Sequence, residues 1–256
     1  MAAYQTLPQE MQLHTYSLMY EVEGHHWWFY GRRKIITSFI ESIFPRNQDQ
    51  RPRILDVGCG TGANLEMLAE FGNAEGVDVS SDALSFCRQR GLNQVRLGEA
   101  EKLPYPDQTF DLVTALDVVE HLDDDLAGLR EMHRVLKPGG HAMMFVPAFM
   151  FLWGVQDDVS HHRRRYTMKQ LKERVTAAGF EIERATFANI TFFMPTLLGR
   201  VLMRITGFRP ESENNLTVGF LNKPLGMILG AEHLWLRHLN LPIGVSAICI
   251  ARKPVQ

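Results

Sequence analysis

Nine residues, Ile54-Leu-Asp-Val-Gly-Cys-Gly-Thr-Gly62, carry the strongest chemical signal in the chain. An apolar run ends in three glycines, and without Cβ atoms Gly58, Gly60 and Gly62 let the backbone close on a ligand. The helix expected next offers unpaired N–H groups to the same place. About twenty residues on, Asp78 closes a second apolar run, where a carboxylate can accept both hydroxyls of an adenosine ribose. This is the chemistry of nucleoside binding. The glycines alone leave the nucleoside open, because Gly58-x-Gly60-x-x-Ala63 with Asp78 also satisfies a dinucleotide fingerprint. Charge separates the two. Asp56, Asp78, Glu99 and Asp117 all fall at or just past expected strand ends. Carboxylates repel a pyrophosphate and attract the sulfonium and ammonium of S-adenosylmethionine.

The elements that must position these groups alternate along the chain. Apolar strands are expected at Arg53–Val57, Ala74–Val79, Gln94–Gly98, Phe110–Ala115, His141–Val146, Phe180–Phe187 and Gly244–Arg252. Helices are expected at Asn64–Phe71, Ser81–Arg90, Asp124–Val135 and Met168–Ala178, with Lys137–Gly140 as a turn. Alternation of this length implies parallel pairing with right-handed crossovers. The fold class is therefore α/β: a doubly wound, mostly parallel seven-stranded sheet with an antiparallel last strand. Its ligands should sit beyond the carboxyl ends of the strands.

In the order and spacing of these motifs the chain resembles the class I S-adenosylmethionine-dependent methyltransferases. The matching residues are Ile54–Gly62, Gly76-Val-Asp-Val-Ser80, Gly98-Glu-Ala-Glu-Lys-Leu-Pro104, Phe110-Asp-Leu-Val113, Asp117-Val-Val-Glu-His-Leu122 and Arg134-Val-Leu-Lys-Pro-Gly-Gly140. The resemblance implies that Asp56, Gly58, Gly60 and Gly62 line the methionine part of the cofactor. It implies that Asp78 holds the ribose, that Glu99 and Ala100 face the adenine, and that Asp117 lies near the amino-acid end. The family often has Asp where this chain has Glu99.

Methyl transfer is an in-line displacement, so the protein's tasks are alignment and exclusion of water. A base matters only where the acceptor must lose a proton. His121, four residues after Asp117, and His162 are the candidate catalytic residues; packing is the bland alternative for His121. His161, His162, Arg163, Arg164, Arg165 and Tyr166 form a basic loop before a helix cap at Thr167. Relatives with lipid-linked or glycosylated substrates show a similar His-x-Arg-Arg-Tyr pattern, which maps onto His162, Arg164, Arg165 and Tyr166. Arg164, Arg165 and Tyr166 are thus candidate acceptor contacts through an arginine fork. Asp157 and Asp158 are close enough in sequence to compete for these arginines. The run His25–Tyr30 resembles the N-terminal helix that covers the cofactor in many of these enzymes, with Trp28 (or Trp27) placed over the sulfonium.

Residues 1–50 thus read as a helical lid, with a linker at Asn47–Arg51. Residues 51–187 and 243–256 read as the S-adenosylmethionine-binding domain, and 188–242 as an apolar helical insertion. The insertion suits an acceptor cap, a dimer interface or a membrane-surface patch, and extra core under the sheet is the bland alternative. Hydrophobic residues make up 45% of the 256, and 27 basic against 29 acidic side chains leave a net charge of −2. That balance fits a globular chain with a small-molecule acceptor and no nucleic-acid partner, which needs a basic surface. Three scattered cysteines and the absence of a leader-like or membrane-spanning run predict a cytoplasmic protein with no metal, for which the insertion leaves peripheral membrane contact and a homodimer open. The reading is transfer of a methyl group to a small, hydrophobic or lipid-linked acceptor, oxygen being the first choice of acceptor atom. A nicotinamide-dependent oxidoreductase and a non-catalytic cofactor-binding protein are the alternatives.

Overall fold

The computed structural model describes residues 13–45, 51–208 and 219–255. The N-terminal twelve residues, most of the expected linker and the stretch holding Arg209, Pro210, Glu211 and Glu213 lie outside the described residues. In chain order the elements are α1 (Leu13–Val22), α2 (Trp27–Ile43), β1 (Arg53–Val57), α3 (Ala63–Leu68), β2 (Asn73–Asp78), α4 (Ser81–Gln89), β3 (Val95–Leu97) and β4 (Phe110–Leu116). There follow α5 (Asp125–Val135), β5 (Leu136–Pro147), α6 (Val155–Val159), α7 (Met168–Ala177), β6 (Glu181–Ala188), α8 (Phe193–Thr206), α9 (Asn222–Leu236) and β7 (Ser246–Arg252).

The seven strands form one sheet in the order β3-β2-β1-β4-β5-β7-β6. β1, β2, β3, β4 and β5 pair in parallel, and β7 runs antiparallel between β5 and β6. The strand order reverses between β1 and β4, so their carboxyl ends open a crevice for a ligand.

Both faces of the sheet are covered, which is why its strands are apolar runs rather than strict alternations. Leu55, Val57 and Val113 point to one face and pack with Leu129 and Met132 of α5 and Leu171 and Val175 of α7. Ile54, Leu112 and Ile248 point to the other and pack with Ile35, Ile36 and Phe39 of α2 and Leu229 and Leu236 of α9.

Three local expectations are revised. The N-terminal helical run breaks at Glu23–His26, where the His26 imidazole accepts from the Trp28 backbone N–H and caps α2. α3 ends at Leu68, short of Phe71. Lys137–Gly140 is not a free turn: it is a bulge inside β5, across which the register with β4 jumps from Phe110↔Leu136 to Leu112↔His141. Gly139 supplies the positive φ there, and Lys137 Nζ anchors the bulge on Asp111 at 2.8 Å.

α9 reaches the sheet by crossing α2 at Gly31, where an added Cβ would lie 2.6–2.7 Å from three Leu229 side-chain atoms, Cβ among them. Overpacking of this kind typically costs about 1–3 kcal/mol. The Gly31→Ala chain is expected to melt several degrees below the parent in calorimetry, and an unchanged melting temperature would show that the two helices separate freely.

Candidate active site

The crevice is a cavity of about 960 Å³, at the upper end of the range for small-molecule sites. Its floor is the glycine turn. Gly58 and Gly60 both have positive φ, at 66° and 54°. A Cβ on Gly58 would collide with Val118, whereas one on Gly60 would meet nothing and project into the open space. The turn is held from β2: Asp78 accepts from Gly60 N–H at 2.8 Å and from Ser80 N–H at 2.9 Å.

Several expected residues share this cavity. Gly58, Gly60, Asp78, Ala100, Asp117, His121, His162, Arg165 and Trp28 all line it. Asp117 has a positive φ of 59° and meets Arg32 of α2 at 2.5 Å, which ties the N-terminal helices to the end of β4.

Others are placed elsewhere. Asp56 is buried beneath the turn, where its carboxylate accepts from Thr114 Oγ1 at 2.7 Å. Burial raises its pKa to about 7, against the pull of that hydrogen bond. Gly62 caps α3 with φ 92° and packs toward Leu92 and Cys87, away from the cavity wall. Glu99 bridges to Lys102, and it is Glu101 that lines the cavity, its carboxyl pushed up by burial. Arg164 reaches the Leu122 carbonyl and Asp125, and the Tyr166 hydroxyl donates to Asp125 at 2.9 Å in the core. Neither lines the cavity, so the expected acceptor contacts at 164 and 166 are corrected to clamps. They bind the basic loop to the start of α5.

Arg165 lines the cavity with its guanidinium already committed. Its Nε and Nη2 form a fork on Asp157 at 2.8 and 2.9 Å, and Nη1 donates to the Ala148 carbonyl. His162 Nδ1 bonds the same carboxylate at 2.8 Å. Burial pushes the Asp157 carboxyl up, but these hydrogen bonds outweigh it and hold the group at about 2. Asp157 is therefore ionised and accepts only, so His162 Nδ1 carries a proton.

His121 packs edge-on to His162, ring centroids 4.7 Å apart. Burial and then the neighbouring His162 lower its pKa to about 3, so it stays neutral and resists taking up a proton. That environment disfavours a free general base. Glu120, with a carboxyl oxygen within 4.8 Å of a ring nitrogen of each histidine, is fully buried and its carboxyl is driven well upward by desolvation and by Asp117.

Sequence reasoning missed Arg32, Glu101 and Glu120, and it offered the insertion as one candidate acceptor cap without naming the residues of the far wall. That wall is one face of α8, with Pro195, Thr196, Gly199 and Met203, beside Phe192, on which Trp27 packs at 4.6 Å. The signal was available for α8, since these positions recur at helical spacing.

Comparison with known proteins agrees with this architecture. Residues 55–144 match the family described as a methyltransferase domain. A demethylmenaquinone methyltransferase of Chlorobaculum parvum is 39% identical over 102 residues, covering 39% of this chain and 42% of the relative. The chain thus spans about two fifths of that curated relative's length. Among solved structures, the cyclase SpnF superposes with a TM-score of 0.56 at 26% identity, over 87% of this chain and 82% of the other. An S-adenosylmethionine-dependent methyltransferase of Thermotoga maritima gives 0.59 at 18% identity, over 94% and 96%.

The chain is therefore built on the class I S-adenosylmethionine-dependent methyltransferase fold. The match to a methyltransferase-domain family covers residues 55–144, with helices α1 and α2 before it and α8 and α9 after it.

The raised Asp56 pKa has a consequence for stability. The folded chain holds a proton at Asp56 that the unfolded chain loses near the ordinary aspartate value of 3.8. Stability from this group is thus greatest at low pH and declines as pH rises from about 4 through about 7. Asp56→Asn keeps a neutral side chain, and its melting temperature relative to the parent is expected to rise by several degrees between pH 5 and pH 8. A constant difference across that window would contradict the assignment.

Proposed function

We propose that the chain transfers a methyl group from S-adenosylmethionine to a hydrophobic, oxygen-bearing acceptor of the quinone-precursor kind. The observation that carries this reading is the Gly58–Gly60 turn, pinned by Asp78, opening into a cavity whose opposite wall is Phe192 and the face of α8 that carries Pro195, Thr196, Gly199 and Met203. The bare backbone at Gly60 leaves the space a bound nucleoside would fill, and Asp78 stands where ribose hydroxyls can reach a carboxylate. Asp117 and Glu101 supply negative charge around the same volume. When bound, S-adenosylmethionine supplies a methyl group already activated by positive sulfur. The chain's own residues then have three duties. Asp78, Gly58 and Gly60 orient the donor; Trp28 and the helices α1 and α2 exclude water; Phe192 and α8 hold the acceptor's apolar body.

The lid is held shut from several directions. Glu23 accepts from Thr61 Oγ1, Arg90 stacks on Tyr20 at 4.4 Å, and Arg33 donates to the Glu23 carbonyl at 2.6 Å. The name of the Chlorobaculum relative supports a quinone-type acceptor, and the likeness to SpnF supports a second reading in which the fold is kept and the chemistry differs.

Binding and turnover separate these readings. Calorimetry should show S-adenosylhomocysteine binding and no heat with NADH. Asp78→Ala should weaken that binding by roughly tenfold or more, the loss of charged hydrogen bonds to a ligand. Labelled donor incubated with demethylated quinone precursors should yield a labelled product. Donor binding with no labelled product from any lipid extract would favour the second reading, and binding of NADH alone would overturn the first.

A further proposal concerns the outer face of α8. Met194, Leu198, Val201, Leu202 and Ile205 recur at helical spacing and are 41–78% exposed, on the side away from the cavity residues. No described helix is long and apolar enough to cross a membrane. We infer that this face rests on a lipid surface, from which an apolar acceptor enters beneath α8. The parent chain should co-sediment with anionic vesicles and a Leu198→Ser, Leu202→Ser, Ile205→Ser chain should not. Equal sedimentation, or concentration-dependent dimerisation abolished by the same changes, would contradict it.

A further inference from the structure

Glu120 is an unusual residue to find buried. It is 0% exposed, and neither carboxylate oxygen has a hydrogen-bond partner among the described residues. An uncompensated buried carboxylate costs several kcal/mol, of order, and is found in native proteins chiefly when paired or bound to metal. Its surroundings supply ligands. One carboxylate oxygen of Glu120 and one ring nitrogen each of His121 and His162 all lie within 4.8 Å of one another. Both histidines line the cavity.

The histidines are also oriented as ligands are. His162 gives its Nδ1 proton to ionised Asp157, so its Nε2 is the atom turned on Glu120, at 3.9 Å. That separation is too long for a hydrogen bond. It brings the His162 Nε2 and a Glu120 carboxyl oxygen to face each other across a gap, with no hydrogen bond between them. A carboxylate–histidine pair behind a ligand nitrogen is the usual support of a metal site. Asp157 is itself locked by the Arg165 fork and by the Gly154 N–H at 2.7 Å. His121 is held through the backbone of His161. The loop that carries His162 is clamped to the turn that carries Glu120 and His121: Arg163 N–H donates to the Glu120 carbonyl and Arg163 Nε to the His121 carbonyl, at 3.0 and 2.9 Å. Arg32 and Arg165, whose charges act on Glu120, are committed to Asp117 and Asp157.

We propose that Glu120, His121 and His162 bind one divalent transition-metal cation at the wall of the cavity, leaving a coordination position open toward it. Two imidazoles and one carboxylate suit Zn²⁺, Mn²⁺ or Fe²⁺ better than Mg²⁺, which prefers an all-oxygen shell. The open position faces the space assigned to the acceptor. On the methyl-transfer reading above, an acceptor hydroxyl oxygen is the ligand that fills it, held and polarised beside the donor. Cation binding itself does not depend on that reading and is measured without donor or acceptor.

The test uses the full chain, stripped with a chelator and dialysed, and titrated with ZnCl₂ in a calorimeter. One saturable site per chain is expected. Glu120→Gln and His162→Ala should each weaken it by roughly tenfold or more, while His238→Ala, a surface histidine outside the cluster, should leave it unchanged. The parent is also loaded with Co²⁺, whose visible bands for mixed nitrogen and oxygen ligation should appear at one equivalent and vanish when Zn²⁺ is added. That measurement stands even where a variant does not fold. Absence of both the saturable heat and the Co²⁺ bands, or Glu120→Gln binding Zn²⁺ as tightly as the parent, would overturn the proposal. Turnover that fails while the cation binds would count against the methyl-transfer reading alone.

Discussion

The arrangement depends on one carboxylate at the end of a parallel strand. β2 stops at Asp78, and its two oxygens take the N–H groups of Gly60 and Ser80. The first contact fixes the glycine turn after β1, and the second fixes the N-cap of α4, whose Ser80 in turn accepts from Ala83. A left-handed backbone at Gly58 and Gly60 is thus held by a strand neighbour rather than by the turn's own sequence. Everything proposed for donor binding follows from that: the bare backbone faces open space because Asp78 keeps it there.

The opposite wall is organised in the same manner by Asp157. It receives the Arg165 fork, the His162 imidazole and the Gly154 N–H, and so converts a loop of five consecutive basic residues into a rigid panel. Arg163 and Arg164 spend their donors on the carbonyls of residues 121–123. The loop's charge is therefore mostly structural, and beside the committed Arg163 and Arg165 it presents the imidazoles of His161 and His162 to the cavity. Between these two pinned walls, α8 offers an amphipathic arrangement of unusual sense, with one face toward the cavity and an apolar face toward the exterior.

How far this was legible in sequence follows from the range of each signal. The glycine turn, the β–α alternation and the returning strand at the C-terminus are local patterns, and the seven strands stand where the apolar runs placed them. The side of a strand on which an acid points was harder. Asp56 sits in a central strand with both faces covered, so period-2 reasoning gave no solvent face to assign, and the residue is buried against Thr114. Glu99 and Glu101 differ by two positions in a loop whose bend the sequence does not encode locally. The pairing of Arg165 with Asp157 was visible as a competition, whereas Tyr166 with Asp125, 41 residues apart, was not. Glu120 carries no signal of its own in one dimension, because a buried acid next to a histidine in a helical turn looks there like any capping residue.

The central claim is that the Gly58–Gly60 turn and Asp78 are a nucleoside site for a positively charged methyl donor. A crystal structure of the full chain soaked with S-adenosylhomocysteine tests it most directly. The account predicts the ribose hydroxyls on Asp78, the sulfur over Gly58 and Gly60, and the amino-acid end toward Asp117. Density for the ligand at any other place, or an empty cavity at saturating ligand, would contradict it.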